Sequence, residues 1–281
     1  MTPQELIRRS AHLLERSGVP DARLDASYLL EHVTGRHALM LRLDRETPLS
    51  ADEMQSFSYL LERRCAREPL QYLLHSQSFL GHPFYVDQRV LIPRQETELL
   101  CEIVIEYLCS QPDSHTNRKV LDLCCGSGCI GLSLLLSCPT IDVTLADLSA
   151  DALDVARYNA ERLHARVHFS RGDLFEGLED RYCLIVSNPP YIPTEECTHL
   201  QSEVLKEPRM ALDGGKSGLD FYARIAQEAP EHLYKGGALF LEIGSDQRQA
   251  VSSLLEKAGF CDIRAYPDLQ GLDRMISARW A

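Results

Sequence analysis

The tetrapeptide Asn188-Pro189-Pro190-Tyr191 follows the short apolar run Leu184-Ile185-Val186 and Ser187. Two prolines remove two N–H donors and stiffen the chain, which leaves outward carbonyls without local partners. Asn188 adds a side-chain oxygen and Tyr191 a flat aromatic face. Together these residues form a rigid cup that accepts two hydrogen bonds from a planar NH2 group and stacks on its plane. Hydrogen bonds pulling on both N–H groups of an amide or exocyclic amine favour the polarised nitrogen that attacks an electrophile. That chemistry depends on alignment and on keeping water away more than on acid–base help. Taken alone, the tetrapeptide reads equally well as a Pro-Pro turn capped by Asn188. At the carboxyl edge of a strand beyond a glycine loop, where open α/β sheets bind ligands, the chemical reading prevails.

Such a loop is present. Val120-Leu121-Asp122-Leu123 runs straight into Cys124-Cys125-Gly126-Ser127-Gly128-Cys129-Ile130-Gly131, and Asp147 follows 21 residues after Gly126. The glycines satisfy GxGxxG and allow close backbone approach, while an acid after the second strand can accept ribose hydroxyls. This pattern indicates a nucleoside cofactor without choosing one. Asp122, just before the loop, gives a pyrophosphate nothing but suits a ligand with ammonium and sulfonium charge, such as S-adenosylmethionine. Asp173, in Gly172-Asp173-Leu174-Phe175, stands where it can bond an adenine amino group. The plainer alternative for Asp122 and Asp173 is acids on a solvated loop.

The elements that must hold these residues can be read from periodicity. Ile7, Ala11 and Leu14 fall at helical spacing, with Leu6 and Leu13 widening the stripe. A second stripe runs Leu24, Ala26, Leu29, Leu30, Val33 and stops at Gly35. Ser50, three residues before Glu53, is placed to cap a third helix reaching about Arg67. From Gln77 to Leu91 aromatic and β-branched residues around Gly81-His82-Pro83 predict a hairpin. After residue 93, strand candidates at Val120–Leu123, Val143–Ala146, Val167–Phe169, Cys183–Val186, Ala238–Ile243, Cys261–Ala265 and Arg274–Arg279 alternate with helical stretches such as Ala150–Leu163 and Gly218–Leu233. That alternation predicts an α/β fold with a mostly parallel sheet covered on both faces. The expected domains are 1–75 (helical), 76–92 (a β-hairpin linker) and 93–281 (α/β).

Composition narrows the partners. The 281 residues are 44% apolar, with 29 Lys plus Arg against 41 Asp plus Glu and a net charge of −12. Residues 1–92 hold 11 basic and 12 acidic side chains, so nearly all the excess falls beyond residue 92. A broad surface for nucleic-acid phosphates is therefore not expected. The six arginines Arg8, Arg9, Arg16, Arg23, Arg36 and Arg42 offer a conceivable docking face, although the local charge balance reads as scattered solubility charge. The uncharged run Leu123–Ile141 includes three glycines, three serines, Pro139 and Thr140, which suits a loop and buried helix better than a bilayer span. Ten cysteines include no CxxC pair, and Cys124, Cys125 and Cys129 lie near no histidine in sequence, so no metal site is expected. No secretory segment is visible, and a cytoplasmic monomer with reduced thiols and no membrane partner is the simplest expectation.

The chain resembles a known family. Asn-Pro-Pro-Tyr with this loop marks amino-methyltransferases acting on planar nitrogens, DNA adenine methyltransferases among them. Glu68-Pro69-Leu70-Gln71-Tyr72, Phe79-Leu80-Gly81, Val90-Leu91-Ile92-Pro93-Arg94-Gln95-Glu96-Thr97-Glu98 and Glu207-Pro208-Arg209-Met210-Ala211-Leu212-Asp213-Gly214-Gly215 are similar to the PrmC/HemK family, the protein-(glutamine-N5) methyltransferases of class I peptide chain release factors. The resemblance spans the whole chain. It implies a class I S-adenosylmethionine-dependent methyltransferase fold, Rossmann-like with seven strands, behind a small helical domain that grips the release factor. The implied substrate is the glutamine of that partner's Gly-Gly-Gln motif. Catalysis would fall to Asn188, Pro189 and Tyr191, with Arg94 and Pro190 joining them on the substrate side. The cofactor would meet Asp122, Cys124, Cys125, Gly126, Ser127, Gly128, Asp147, Asp173, Leu174 and Asn188. For Arg94 the structural alternative is an ion pair with Glu96 or Glu98.

There is one departure. The family's loop usually opens Asp-Leu-Gly, whereas Cys124 follows Leu123 here. A Cβ at that position narrows the approach to a ligand unless φ stays negative. No cation or histidine lies nearby in sequence to activate the thiol, so Cys124 and Cys125 read as packing residues. Three rival functions remain: a nucleic-acid adenine N6 or guanine N2 methyltransferase, a nicotinamide oxidoreductase, and a non-catalytic cofactor-binding adaptor. The first usually needs a basic channel. The second needs a hydride-partner acid or base that the second half does not offer. The third would be expected to lose Asn188 or Pro189.

Overall fold

The computed structural model describes residues 1–44, 46–110 and 118–281, which fall into two compact units. The first comprises residues 1–76 and 201–206. It holds α1 (Pro3–Arg16), α2 (Ala22–Thr34), α3 (Ala38–Leu43), α4 (Ala51–Cys65) and α5 (Leu70–Leu74). Ser50 and Glu53 form the expected capping box at the start of α4. Leu6, Ile7, Leu14, Ala26, Leu29, Leu30 and Phe57 make the core of this unit. Leu13 and Leu24 do not join it: they are 49% and 39% exposed, one position off the buried stripes of α1 and α2. Buried Arg64 donates to Asp25 at 2.7 Å and to Glu203 at 2.9 Å, and Arg67 donates to both oxygens of Glu203. That ion cluster fastens residues 201–206 to the helices. Burial alone would raise the Glu203 carboxyl, but the hydrogen bonds from Arg67 and Arg64 outweigh it and hold it down at about 2.

The second unit comprises residues 77–200 and 207–281. It opens with β1 (Gln77–Phe79) and β2 (His82–Phe84), paired antiparallel about Leu80 and Gly81 at positive φ. The ladder stops at Phe84 rather than reaching Leu91. Side chains take over from there: Tyr85 N–H donates to Asn159 Oδ1, and Asp87 Oδ1 accepts from Arg89 N–H. Next come α6 (Gln95–Ser110), β3 (Lys119–Leu123), α7 (Cys129–Ser137), β4 (Asp142–Asp147), α8 (Ala150–Arg162), β5 (His168–Arg171) and β6 (Tyr182–Ser187). Short 3-10 turns at Glu196–Thr198 and Arg209–Ala211 precede α9 (Asp220–His232), β7 (Leu233–Glu242), α10 (Arg248–Lys257), β8 (Phe260–Pro267) and β9 (Asp273–Trp280), and a third, Val204–Lys206, belongs to the first unit.

The seven strands β3 to β9 form one sheet in the order β5-β4-β3-β6-β7-β9-β8. The run β5-β4-β3-β6-β7 is parallel throughout, with β3 in its middle, and only β9 runs antiparallel to its neighbours β7 and β8. Strand alternation explains the two cores. Val120, Leu184, Val186 and Phe240 face α6, α7 and α8, whereas Leu121, Ile185, Leu239 and Leu241 face α9 and α10. The sheet is therefore apolar on both sides. Gly131 makes the α7 contact possible: a Cβ there would lie 2.4 Å from Leu145 Cδ2 and 3.0 Å from Val143 Cγ1. Among the described residues no helix is long and apolar enough to cross a membrane.

Candidate active site

Chain order places β3 and β6 side by side at the point where the sheet's winding reverses. Leu123 pairs with Ser187, so Cys124 and Asn188 are the next residues out of adjacent strands on one edge. Open α/β sheets bind ligands at that edge. A cleft of about 370 Å3 opens there, within the range of roughly 300–1,000 Å3 typical of small-molecule sites. Of the residues expected from sequence, Cys124, Gly126, Asp147, Asp173, Leu174, Asn188 and Pro190 line it. Met210, from the family-like stretch Glu207–Gly215, lines it too, as do Arg89 and Phe221, which no sequence signal singled out.

Asp147 is the anchor on the glycine-loop side. Its Oδ2 accepts from Gly126 N–H at 2.8 Å and its Oδ1 from Ser149 N–H at 2.9 Å. Burial raises its carboxyl while the backbone bonds from Ser149 and Gly126 oppose that. A carboxylate held this way keeps lone pairs for a diol at the cleft. Asp173 lines the wall further along, tied to Arg224 at 3.0 Å, and Leu174 beside it turns at φ 54°.

Several expected contacts prove to be supports beneath the cleft. Asp122 does not line it. The carboxyl is wholly buried, and Oδ2 accepts from Gly131 N–H at 2.8 Å while Oδ1 has no partner. Burial lifts Asp122 to about 7, against the Gly131 hydrogen bond. A cationic ligand is therefore not held by direct contact with it; the side chain pins the end of β3 to the first turn of α7. Cys125, Ser127, Gly128, Pro189, Tyr191 and Arg94 likewise fall outside the lining. The Ser127 carbonyl accepts from Asn159 Nδ2 at 3.0 Å, and the same amide group bonds Tyr85, which ties the loop to the segment after β2. Arg94 pairs neither with Glu96 nor with Glu98. Its partner is the buried Glu207, which also accepts from Ile92 N–H at 3.0 Å.

Cys124 takes φ 60°, the left-handed region, where glycine carries no Cβ penalty. Its neighbour strand supports the turn, since Ser187 Oγ donates to the Leu123 carbonyl at 2.6 Å. Burial, and after it the Asp147 charge, push the Cys124 thiol far above its ordinary value, and burial does the same to Cys125. Neither thiol is primed as a nucleophile.

The Asn188 cup is held from behind by Thr97, within the family-like stretch Val90–Glu98, and by Glu242 and Gln247, which belong to no motif. Asn188 Nδ2 donates to Thr97 Oγ1 at 3.3 Å, and Thr97 donates to Glu242 Oε2 at 2.6 Å. Tyr191 donates its hydroxyl to Glu242 Oε1 at 3.3 Å. Gln247 Nε2 donates to the Tyr191 carbonyl at 3.0 Å, and Ile192 exchanges backbone bonds with Leu212 and Gly214. Polar residues that act only across the fold have no sequence spacing to reveal them. For Glu242 the sequence holds only an acid inside the apolar run Ala238–Ile243.

Residues 5–74 match the family model "PrmC N-terminal domain", and residues 101–218 match "Methyltransferase small domain". The release factor glutamine methyltransferase of Geobacter sulfurreducens is 43% identical, over 95% of this chain and 92% of the relative. That of Bordetella pertussis is also 43% identical, over 94% of this chain and 96% of its own length. Among solved structures, a methyltransferase from Pyrococcus furiosus superposes with a TM-score of 0.54 at 16% identity, covering 78% of this chain and 98% of the other. The Thermus thermophilus 16S rRNA N2 G1207 methyltransferase, solved with AdoMet and guanosine, gives 0.54 at 21% identity, covering 73% and 50%. These two likenesses show the fold.

Proposed function

The chain belongs to the family of release factor glutamine methyltransferases, and on that premise we propose that it transfers a methyl group from S-adenosylmethionine to the side-chain amide nitrogen of the glutamine in the Gly-Gly-Gln motif of class I peptide chain release factors. One observation carries the reading: Asp147 on the loop side and Asn188 on the strand side line a single cleft. A cofactor held by one thus stands next to a nitrogen held by the other. The residues present fit the cofactor. The cleft has room, an acid for the ribose, glycine backbone at Gly126, and apolar walls at Leu123, Ala146 and Phe221.

When bound, S-adenosylmethionine supplies an electrophilic methyl on a sulfonium. Asp147, Asp173, Leu174 and the turn from Cys124 to Gly126 would hold it, with Asp122, Cys125, Ser127 and Gly128 shaping that turn from behind. Asn188 Oδ1 and the Pro189 carbonyl accept from the two N–H groups of the substrate amide, drawing electron density onto the nitrogen. Tyr191, held behind the lining by Glu242, backs the amide site, and Pro190 keeps the cup stiff. Arg94, through Glu207, orders the substrate wall instead of touching the reacting atoms. Positioning supplies most of the acceleration, since a glutamine amide is a poor nucleophile and no strong base lines the cleft. The helical domain, residues 1–75, serves to grip the release factor, and residues 76–92 link it to the catalytic domain. The proposal includes a monomer working in the cytoplasm, with no membrane and no direct nucleic-acid contact.

The test is Asn188→Ala. Cofactor affinity should stay within a few-fold while transfer to the release factor falls by roughly 100-fold or more, the scale of losing a preorganised transition-state contact. Peptide mapping of the product should place the methyl on the glutamine-bearing peptide. Full transfer by Asn188→Ala would remove the cup from the mechanism.

A further inference from the structure

Behind Asn188 lies a buried polar chain whose direction is fixed by charge. Thr97, in the first turn of α6, is 2% exposed, and Glu242, closing β7, is 1% exposed. Both carboxylate oxygens of Glu242 are engaged, Oε2 by the Thr97 hydroxyl and Oε1 by the Tyr191 hydroxyl. An ionised carboxylate can only accept, and a hydroxyl has a single proton to give. The Thr97 proton therefore goes to Glu242, and Thr97 Oγ1 is left only to accept. Asn188 can satisfy that acceptor with Nδ2, as it does at 3.3 Å, and not with Oδ1. Since Asn188 also lines the cleft, its oxygen is the amide atom left to face outward.

The two ends of an asparagine amide are nearly identical in shape, so packing alone selects neither. A flipped amide would turn two N–H donors toward the substrate's own NH2 group, donor against donor. We propose that Glu242, acting through Thr97, is a positioning residue that fixes the Asn188 amide with its oxygen toward the substrate nitrogen, while its second oxygen holds Tyr191 in the same cup. The inference rests on the function read above and deepens it.

The surroundings of Glu242 give the chain a pH signature. Tyr191, Thr97 and Glu96 face it from the tetrapeptide and α6, Arg274 from β9, and the thiols of Cys101 and Cys129 from α6 and α7. The Tyr222 hydroxyl, from α9, bonds the backbone carbonyl of Glu242 at 2.9 Å instead. Burial, the largest influence, lifts Glu242 to about 7, against the hydrogen bonds from Thr97 and Tyr191. Once protonated, the carboxyl can donate to Thr97, the hydroxyl can turn, and the Asn188 amide is free to flip. Transfer should thus be lost as pH falls through about 7.

The experiment compares the full-length protein with Thr97→Val, Thr97→Ser and Glu242→Gln, using a class I release factor as substrate. It measures kcat against pH, S-adenosylmethionine affinity by calorimetry, and thermal unfolding. Thr97→Val removes the acceptor for Nδ2, and kcat should fall about tenfold, the size of one lost hydrogen bond. Cofactor affinity should stay within about twofold of wild type. Thr97→Ser should restore kcat, because it returns the hydroxyl. Glu242→Gln tolerates either polarity, so kcat should drop several-fold and the acid limb near pH 7 should flatten. If that variant does not fold, the Thr97 pair carries the test. Wild-type kcat in Thr97→Val, equal losses in Thr97→Val and Thr97→Ser, or an unchanged pH limb in folded Glu242→Gln would overturn the inference. A wild-type protein that methylates no release factor would overturn the functional reading beneath it.

Discussion

Cys124 occupies a left-handed turn between a strand end and the cleft, a conformation that costs a non-glycine residue roughly 1–2 kcal/mol. Cys124 is half-buried at the cleft wall and desolvation pushes its thiol well above its ordinary value, so its contribution is volume, with no chemistry of its own. Cys124→Gly should therefore keep methyl transfer within about threefold, with S-adenosylmethionine binding no weaker than wild type. Loss of turnover in that variant, measured with saturating cofactor, would bring the thiol back into the mechanism. Asp122 teaches a related lesson at this scale. The residue type and position read as a direct partner for a cationic ligand, but its burial made it a brace for Gly131 instead. Spacing reveals that an acid is near a loop; it does not reveal whether the carboxyl faces the cavity or the helix behind it.

Elements convey the site's precision. The stretch Leu212 to Gly214 docks against Ile192, and a Cβ on Gly214 would lie 2.7 Å from the Tyr191 Cα and 2.8 Å from the Pro190 carbonyl. Backbone cannot yield cheaply there, so Gly214→Ala should lower kcat/KM at least about tenfold by shifting the cup, a larger effect than its overpacking cost of roughly 1–3 kcal/mol suggests. Steady-state kinetics beside a melting curve would separate the two. In the helical unit, Glu203 ties residues 201–206 to Arg64 and Arg67. Its folded carboxyl is depressed to about 2 from an ordinary 4.5, so its stabilisation is present above pH 4.5. As pH falls toward 2 that stabilisation is lost, and Glu203→Gln should remove this part of the acid sensitivity in a pH series of melting curves. Strands and long helices were legible because their apolar residues repeat at the period of the element. The short α3 and α5 were not, because six and five residues are too few to show a period, and the end of the hairpin at Phe84 was not, since the bond from Tyr85 to the distant Asn159 and the local Asp87–Arg89 turn decide the chain's path there.

At the scale of the whole molecule, the two motifs that sequence made visible, the glycine loop and Asn-Pro-Pro-Tyr, lie on β3 and β6, far apart in the chain and adjacent in the sheet. Parallel α/β winding brings them together, which is why fold class and site location were both readable. What escaped was the layer behind them. Thr97, Glu242, Gln247 and Glu207 are polar residues whose partners lie 51 to 145 positions away among the bonds to Asn188, Tyr191, Arg94, Ile92 and each other, and no local pattern encodes such pairs. A net charge of −12, concentrated beyond residue 92, favours a protein partner over a nucleic acid for this machinery. The most direct measurement supplies labelled S-adenosylmethionine with a class I release factor, the same factor carrying Gln→Ala in its Gly-Gly-Gln motif, DNA, and tRNA in separate reactions. Label should enter the intact release factor alone. Label in DNA or tRNA, or undiminished label in the Gln→Ala factor, would contradict the account.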